Sequence, residues 1–369
     1  MTSTPFKFDH VGSFLRPESL KKARRDYEAG SITAEELKSV EDEAITELIK
    51  KEKEVGLHAI TDGEFRRATW HLDFMWAFDG VGHSKTETGL PFHGEAAMID
   101  DTYLTGKIVY KTHPFIEHFK FVQQFEDEDT VAKLTIPAPA QFLEQMIMPF
   151  AWGNTKKFYD TPEQVAEDIA NGYKEFIKDV YAAGCRNLQF DDCSWGMVVD
   201  PSACKFFGTT PAGLEKIKNT LLDINNKSIE GKPEDLVINT HVCRGNFHST
   251  YASSGAYTGV AATLFAKENV NAYYLEYDDE RSGGFEPLKY VTGDKKVVLG
   301  LITTKSPELE DEQTVIDRIN EAARYIPLER LCLSPQCGFA SCEIGNKLTE
   351  DEQWAKLRLV KKIADKVWG

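Results

Sequence analysis

The segment LVINTHVC, residues 236–243, is apolar almost throughout and ends in a histidine and a cysteine one residue apart. Its apolar residues run consecutively rather than alternating, which predicts a strand buried on both faces, as in a parallel sheet. Seven further segments share the pattern: FDHVGSF (8–14), HAITDGE (58–64), AKLTIPA (132–138), NLQFDD (187–192), AYYLEYDD (272–279), KVVLGLIT (296–303) and LCLSPQC (331–337). Most of them are separated by helical patterns. Thr33 with Glu36 reads as a capping box, followed at helical spacing by Leu37, Val40, Ala44, Leu48 and Ile49 and stopped at Gly56. Thr161, Pro162 and Gln164 repeat this grammar before a helix that ends at Gly184, Thr210–Pro211 opens another helix, and Thr349 with Glu352 opens the last.

Eight such units in 369 residues predict a (β/α)8 TIM barrel, with an open doubly wound sheet as the alternative. Residues 78–130 exceed a minimal unit and are read as an insertion between the second and third strands. In it TYLTGKIVY (102–110) is expected to form a small hairpin, followed by a helix near 114–125 and the acidic stretch EDEDT. No linker or low-complexity segment divides the chain, so residues 1–369 are expected to form one domain. Oligomeric state is not legible.

Asp and Glu number 59 against 43 Lys and Arg, a net charge of −16. Such a surface repels phosphate backbones and anionic lipid, which argues against nucleic acid or a membrane as partner. The start, MTSTPFKFDH, has no basic region before an apolar stretch, and no apolar run approaches the ~20 residues of a membrane span. Seven cysteines, an odd number at irregular spacing, fit reduced thiols in the cytoplasm better than a disulfide framework.

In a barrel the C-terminal strand ends meet at one rim. Here they carry Gly12 and Ser13, Asp62 and Glu64, Asp191 and Asp192, His241 and Cys243, Glu276 and Asp278, Thr303 to Lys305, and Cys337. One imidazole, two thiols and several carboxylates drawn to one place suit a metal ion. His241, Cys243 and Cys337, with Glu276 as the fourth ligand, fit tetrahedral zinc. Against this stands the plain reading that polar residues often follow a strand. Cys332 reads as core, while Cys193 and Cys342 lie near enough to the rim to be rival ligands. Two thiolates and a carboxylate would make an electron-rich centre, poor at activating water and suited to holding a substrate thiol as thiolate.

HVGSF, TDGEF, LQFDD, THVC, LEYDD and SPQCG, in this order over nearly the whole chain, resemble the catalytic barrel of cobalamin-independent methionine synthase. The resemblance implies Zn2+ on His241, Cys243, Glu276 and Cys337. It also implies that Gly12, Ser13, Glu64 and Asp191 hold the amino-acid end of homocysteine, and that a methylated folate is the donor. Asp191 and Lys305 are then the residues expected to serve catalysis. Several features depart from the family. The usual N-terminal barrel is missing, Lys305 stands where a proton-donating histidine is expected, and Met197 falls near an expected glutamate. The folate-stacking tryptophan has no match in LTIPAPAQFL, although Trp70, Trp152 or Trp195 could form another platform. The alternatives are alkyl transfer to another small thiol or from a corrinoid or sulfonium donor, a zinc hydrolase on the same fold, for which the first strand offers only His10, and a thiol-binding protein without turnover.

Overall fold

A computed structural model describes residues 4–369, so the first three residues of the segment read as lacking a leader lie outside the description. Six parallel strands form a continuous sheet: Leu134–Pro137, Asn187–Asp192, Val237–Val242, Ala272–Glu276, Lys296–Ile302 and Leu331–Pro335, each paired to the next in chain order. The chain just before Leu134 turns its other edge to Ala59–Ile60, which pairs in parallel with Val131–Ala132. Phe8 bridges Leu333 in parallel, flanked by the bonds from Asp9 N to Leu333 O and from Leu333 N to Lys7 O. Eight strand segments thus close into the barrel expected from the sequence. The first two are much shorter than FDHVGSF and HAITDGE suggested.

Between those two segments no regular ladder forms among the described residues. Scattered bonds close the gap instead: Phe14 N to Gly63 O, Thr61 Oγ1 to Gly12 O, and the His10 ring nitrogen with Ala59 O. Lys133 lies buried across the seam, its ammonium 3.0 Å from Asp9 Oδ1, bonded to His10 O and facing the Tyr274 ring. Beside it His10 approaches Glu52, but burial drives the His10 pKa down to about 3 and that of Glu52 well up. Burial thus pushes both members of that contact towards their neutral forms, and Lys133–Asp9 is the ion pair of the seam.

Side chains alternate along each strand. Tyr273, Leu275, Val297, Leu299, Leu331 and Leu333 join the main core under the helices, whereas Val11, Tyr274, Val298 and Cys332 form a separate cluster inside the ring. Cys332 is core, as read from the sequence. The outer layer includes Ala34–Glu54, Pro162–Ala182, Pro211–Ser228, Glu312–Ala322 and Glu350–Trp368. Thr33 and Thr349 form their capping boxes and Thr210 caps through Gly213 N. The Thr161 box does not form: Thr161 caps by backbone alone, and Gln164 Oε1 accepts from Asp160 N. After the fifth and sixth strands the crossovers shrink to short turns, including Leu264–Lys267 and Glu286–Tyr290.

TYLTGKIVY is not a hairpin. All but its last residue, Tyr110, lies in one strand, Asp101–Val109, antiparallel to Asp79–Ser84, with a smaller pair, Leu90–Phe92 and Glu95–Ala97, between them. Gly106 sits where the register slips between Asp79 and Val81, so it marks a bulge rather than a turn. A helix follows at Phe115–Gln123, as expected.

Replacing Lys133 by Met should leave the Asp9 carboxylate buried without its cation and cost about 3–5 kcal/mol of stability. A lowered urea midpoint at unchanged m-value would register this, and Asp9→Asn in the same chain should recover part of the loss.

Candidate functional site

Alternation along the strands decides which side chains can meet at the rim. Leu188 and Phe190 point to the outer core, so Gln189 and Asp191 point inward. The ladder sets Asp191 opposite His241 and His241 opposite Tyr274, and the next inward layer up carries Cys243 and Glu276. Cys337 lies two residues beyond the end of the eighth strand.

His241, Cys243, Glu276 and Cys337 are all buried, and one ligand atom from each lies within 4.8 Å of the others. The two sulfurs are 3.8 Å apart. That is far too long for a disulfide, and it matches two ~2.3 Å bonds spread at a tetrahedral angle from one ion. His241 Nδ1 faces the Tyr274 carbonyl at 3.3 Å, which leaves Nε2, buried and without a hydrogen-bond partner, as the free ligand atom. Glu276 is held at both oxygens, by Arg244 N and by the Arg281 guanidinium, each at 2.7 Å. Arg281 in turn binds Asp278. A hydrogen bond with the Cys193 thiol, followed by burial, pushes the Cys243 thiol well above its ordinary range. Cys243 and burial do the same to Cys337. A buried pair of thiols, an unpartnered imidazole nitrogen and an oriented carboxylate form a donor set that a divalent ion completes.

Beside this cluster a narrow cavity is lined by Val11, Ser13, Glu64, Trp70, Asp191 and Asn246. Gly12 lies between two of these at φ +150°, where a Cβ would meet Thr135 Cγ2 at 2.7 Å. Gly338 packs its Cα against Ser13, leaving no room for a side chain. Glu64 itself adopts a left-handed backbone, φ +62°, a strain borne at a site residue. Its Oε1 accepts from Thr135 Oγ1 while Oε2 is buried without a partner, and Asp191 Oδ1 accepts from Gln189 Nε2. Burial raises both carboxyls to about 7, and Asp191 adds to the effect on Glu64. A cationic group entering the cavity would relieve both. Two raised carboxyls thus face a cavity that opens beside the four-residue sulfur-bearing cluster.

Lys305 stands elsewhere. Its ammonium pairs with Asp278 Oδ2 at 2.7 Å, and it is not among the residues lining the narrow cavity or the wider one beside it. The chain Lys305–Asp278–Arg281–Glu276 connects it to the cluster at one remove. Of the three tryptophans, Trp70 lines both cavities, Trp195 is fully buried and Trp152 packs on the core. Cys193 lies against Cys243, while Cys342 lines the wider cavity. Sequence reasoning missed Asn246, Arg281 and Thr135. Asn246, three residues after Cys243, carried a signal in its position at the rim, whereas the contact of Thr135 with Glu64 depends on a loop from another unit, and that of Arg281 with Glu276 on how the chain turns just after its own strand.

Residues 6–366 match the model of the cobalamin-independent synthase catalytic domain. The uncharacterized protein YxjG of Bacillus subtilis is 44% identical, over 99% of this chain and 95% of its own. A methionine synthase of Sulfolobus acidocaldarius is 23% identical over 89% of this chain and 84% of its own. A solved Listeria monocytogenes structure, provisionally assigned as a vitamin-B12-independent methionine synthase, superposes with TM-score 0.79 at 40% identity over the full length of both chains. The fold also matches a B12-independent methionine synthase from Shewanella solved with selenomethionine, at TM-score 0.72 and 18% identity, over 98% and 97% of the two chains.

About one metal ion per chain should be found by elemental analysis, and Cys243→Ser or Cys337→Ser should lose most of it, since each removes a soft ligand at nearly constant volume. Arg281→Met, which frees Glu276, should weaken the metal about 10–100-fold in a chelator competition. Full metal content in both serine variants would refute the assignment.

Proposed function

The chain belongs to the cobalamin-independent methionine synthase family, and from that premise we propose that it transfers a methyl group to the thiol of homocysteine, giving methionine. The observation that carries this reading is the four-residue cluster opening beside a cavity with two buried carboxyls. His241, Cys243, Glu276 and Cys337 hold zinc. The ion supplies one thing, a lowered pKa that keeps the substrate sulfur as a nucleophilic thiolate. Glu64 and Asp191 take the ammonium group, and Gly12 and Ser13 take the carboxylate through backbone and hydroxyl. Whether that sulfur attacks productively depends on how firmly these four fix the carbon chain behind it. The whole chain, 1–369, acts as one cytoplasmic domain.

The donor is a methylated folate, held in the wider cavity. Lys305 supports the reaction from a distance, by neutralising Asp278 and steadying Arg281 against Glu276. A corrinoid or sulfonium donor, or another small thiol as acceptor, is the second reading. It is favoured by Met197, an apolar residue lining the wider cavity near the place where the resemblance expects a glutamate.

Purified protein given homocysteine and each donor in turn should form methionine, and no methionine from any donor would end this reading. Lys305→Met should lower turnover on every donor alike. Loss confined to methyl-folate would instead make Lys305 the acid. Calorimetry should find more than one proton released as homocysteine binds near neutral pH, one from the thiol and a further fraction from the two carboxyls. Affinity should rise ~10-fold or more between pH 6 and 8: both carboxyls have raised pKa values, are neutral below about 7, and grip ammonium only when ionised. Asp191→Asn should weaken homocysteine and leave the metal in place.

A further inference from the structure

The wider cavity, about 410 Å³, shares Trp70 and Asn246 with the thiol cleft and is walled largely by apolar side chains, among them Phe92, Met148, Met197 and Phe247. A single carboxyl group lines it, that of Glu144, on the helix Pro139–Ile147 that leaves the third strand. Glu144 is 6% exposed, and its Oε2 is buried with no hydrogen-bond partner. One turn earlier on the same helix, Gln141 accepts from Cys193 N, which ties this helix to the loop beside the sulfur cluster. No lysine or arginine is among the residues that line the cavity. Its other titratable groups are His71, His93, Cys193 and Cys342, and burial holds His71 neutral with a pKa near 3.

A buried carboxyl with a free oxygen and no cation in its cavity wall keeps its proton. Burial, then the charge of Asp192, raise Glu144 to about 8, close to the pH at which an acid catalyst is most effective. The group needing a proton in this cavity is the one that gives up the methyl. We propose that Glu144 is the acid that protonates the departing nitrogen of the methyl donor, an inference that rests on the methyl transfer to homocysteine proposed above. The homocysteine sulfur, already deprotonated on binding, attacks the methyl carbon. The carbon–nitrogen bond breaks with its electron pair on nitrogen, and the Glu144 hydroxyl delivers its proton there. A tertiary amine and a thiol become a secondary amine and a thioether, and the proton shed earlier by the thiol returns through solvent to Glu144.

The test measures methionine formed by the intact, metal-loaded protein from two donors, methyl-tetrahydrofolate and a methyl sulfonium whose leaving thioether needs no proton. Glu144→Gln keeps shape and polarity but holds no acidic proton. It should lower kcat on the N-methyl donor by ~100-fold or more with KM changed only a few-fold, and the loss on the sulfonium should be at least ~10-fold smaller. Wild-type protein supplies a second measure that survives any folding defect in the variant. Its rate on the N-methyl donor, divided by that on the sulfonium, should fall as pH rises through about 8. Equal losses on both donors, or a ratio flat across that range, would overturn the role of Glu144 and leave the thiol methylation standing. Turnover with the sulfonium but none with the N-methyl donor would remove both Glu144 and the folate. No methylation of homocysteine from either would overturn the underlying reading as well.

Discussion

Closure of the ring is the constraint on which everything else in this protein depends. Six strands share a full ladder, but the first two segments are too short to complete it, and the gap is spanned by the buried ammonium of Lys133 on Asp9 together with a few isolated bonds. Only a closed ring brings Ser13 from the first segment and Cys337 from beyond the eighth strand to one cavity. A buried ion pair contributes little net stability by itself, yet removing either partner is costly. At this seam it also sets which residues of the first and third strands stand level.

The site shows what the closed ring makes possible. Strand alternation points Asp191, His241 and Glu276 inward, and burial then acts on each according to its neighbours. Burial above all raises Glu64 and Asp191 towards neutrality, with a neighbouring carboxyl adding to it in each case. Glu276 is held at both oxygens, by the Arg281 guanidinium and by a backbone amide. The result is three adjoining environments at one rim: a sulfur-bearing cluster, a pair of buried carboxyls with raised pKa values, and an apolar chamber beyond. The insertion, with no counterpart in a minimal barrel, supplies part of that chamber through Leu90, Phe92, Ala97 and Ile99.

Much of this was legible in the sequence. The apolar runs, capping residues and turn glycines located eight strands and most of the outer helices, because those features depend on neighbours a few residues away. The four candidate ligands could be named because each sits at or just past a strand end, and in a barrel strand ends converge. The sequence also showed where the chain departs from the pattern that the resemblance expects, at Lys305 and Met197.

What it could not decide depends on contacts between distant units. TYLTGKIVY could not be told from a hairpin until its partner, Asp79–Ser84, was seen across the insertion. Lys305 read as a possible acid until Asp278, 27 residues earlier, took its ammonium. Glu144 carried no signal at all, since a glutamate on a helix is ordinarily solvated. Residue type and local spacing determined the strands, the caps and the ligand set. Burial and charge pairing, which are properties of the closed ring, decided which carboxyls keep a proton and which cations are already engaged.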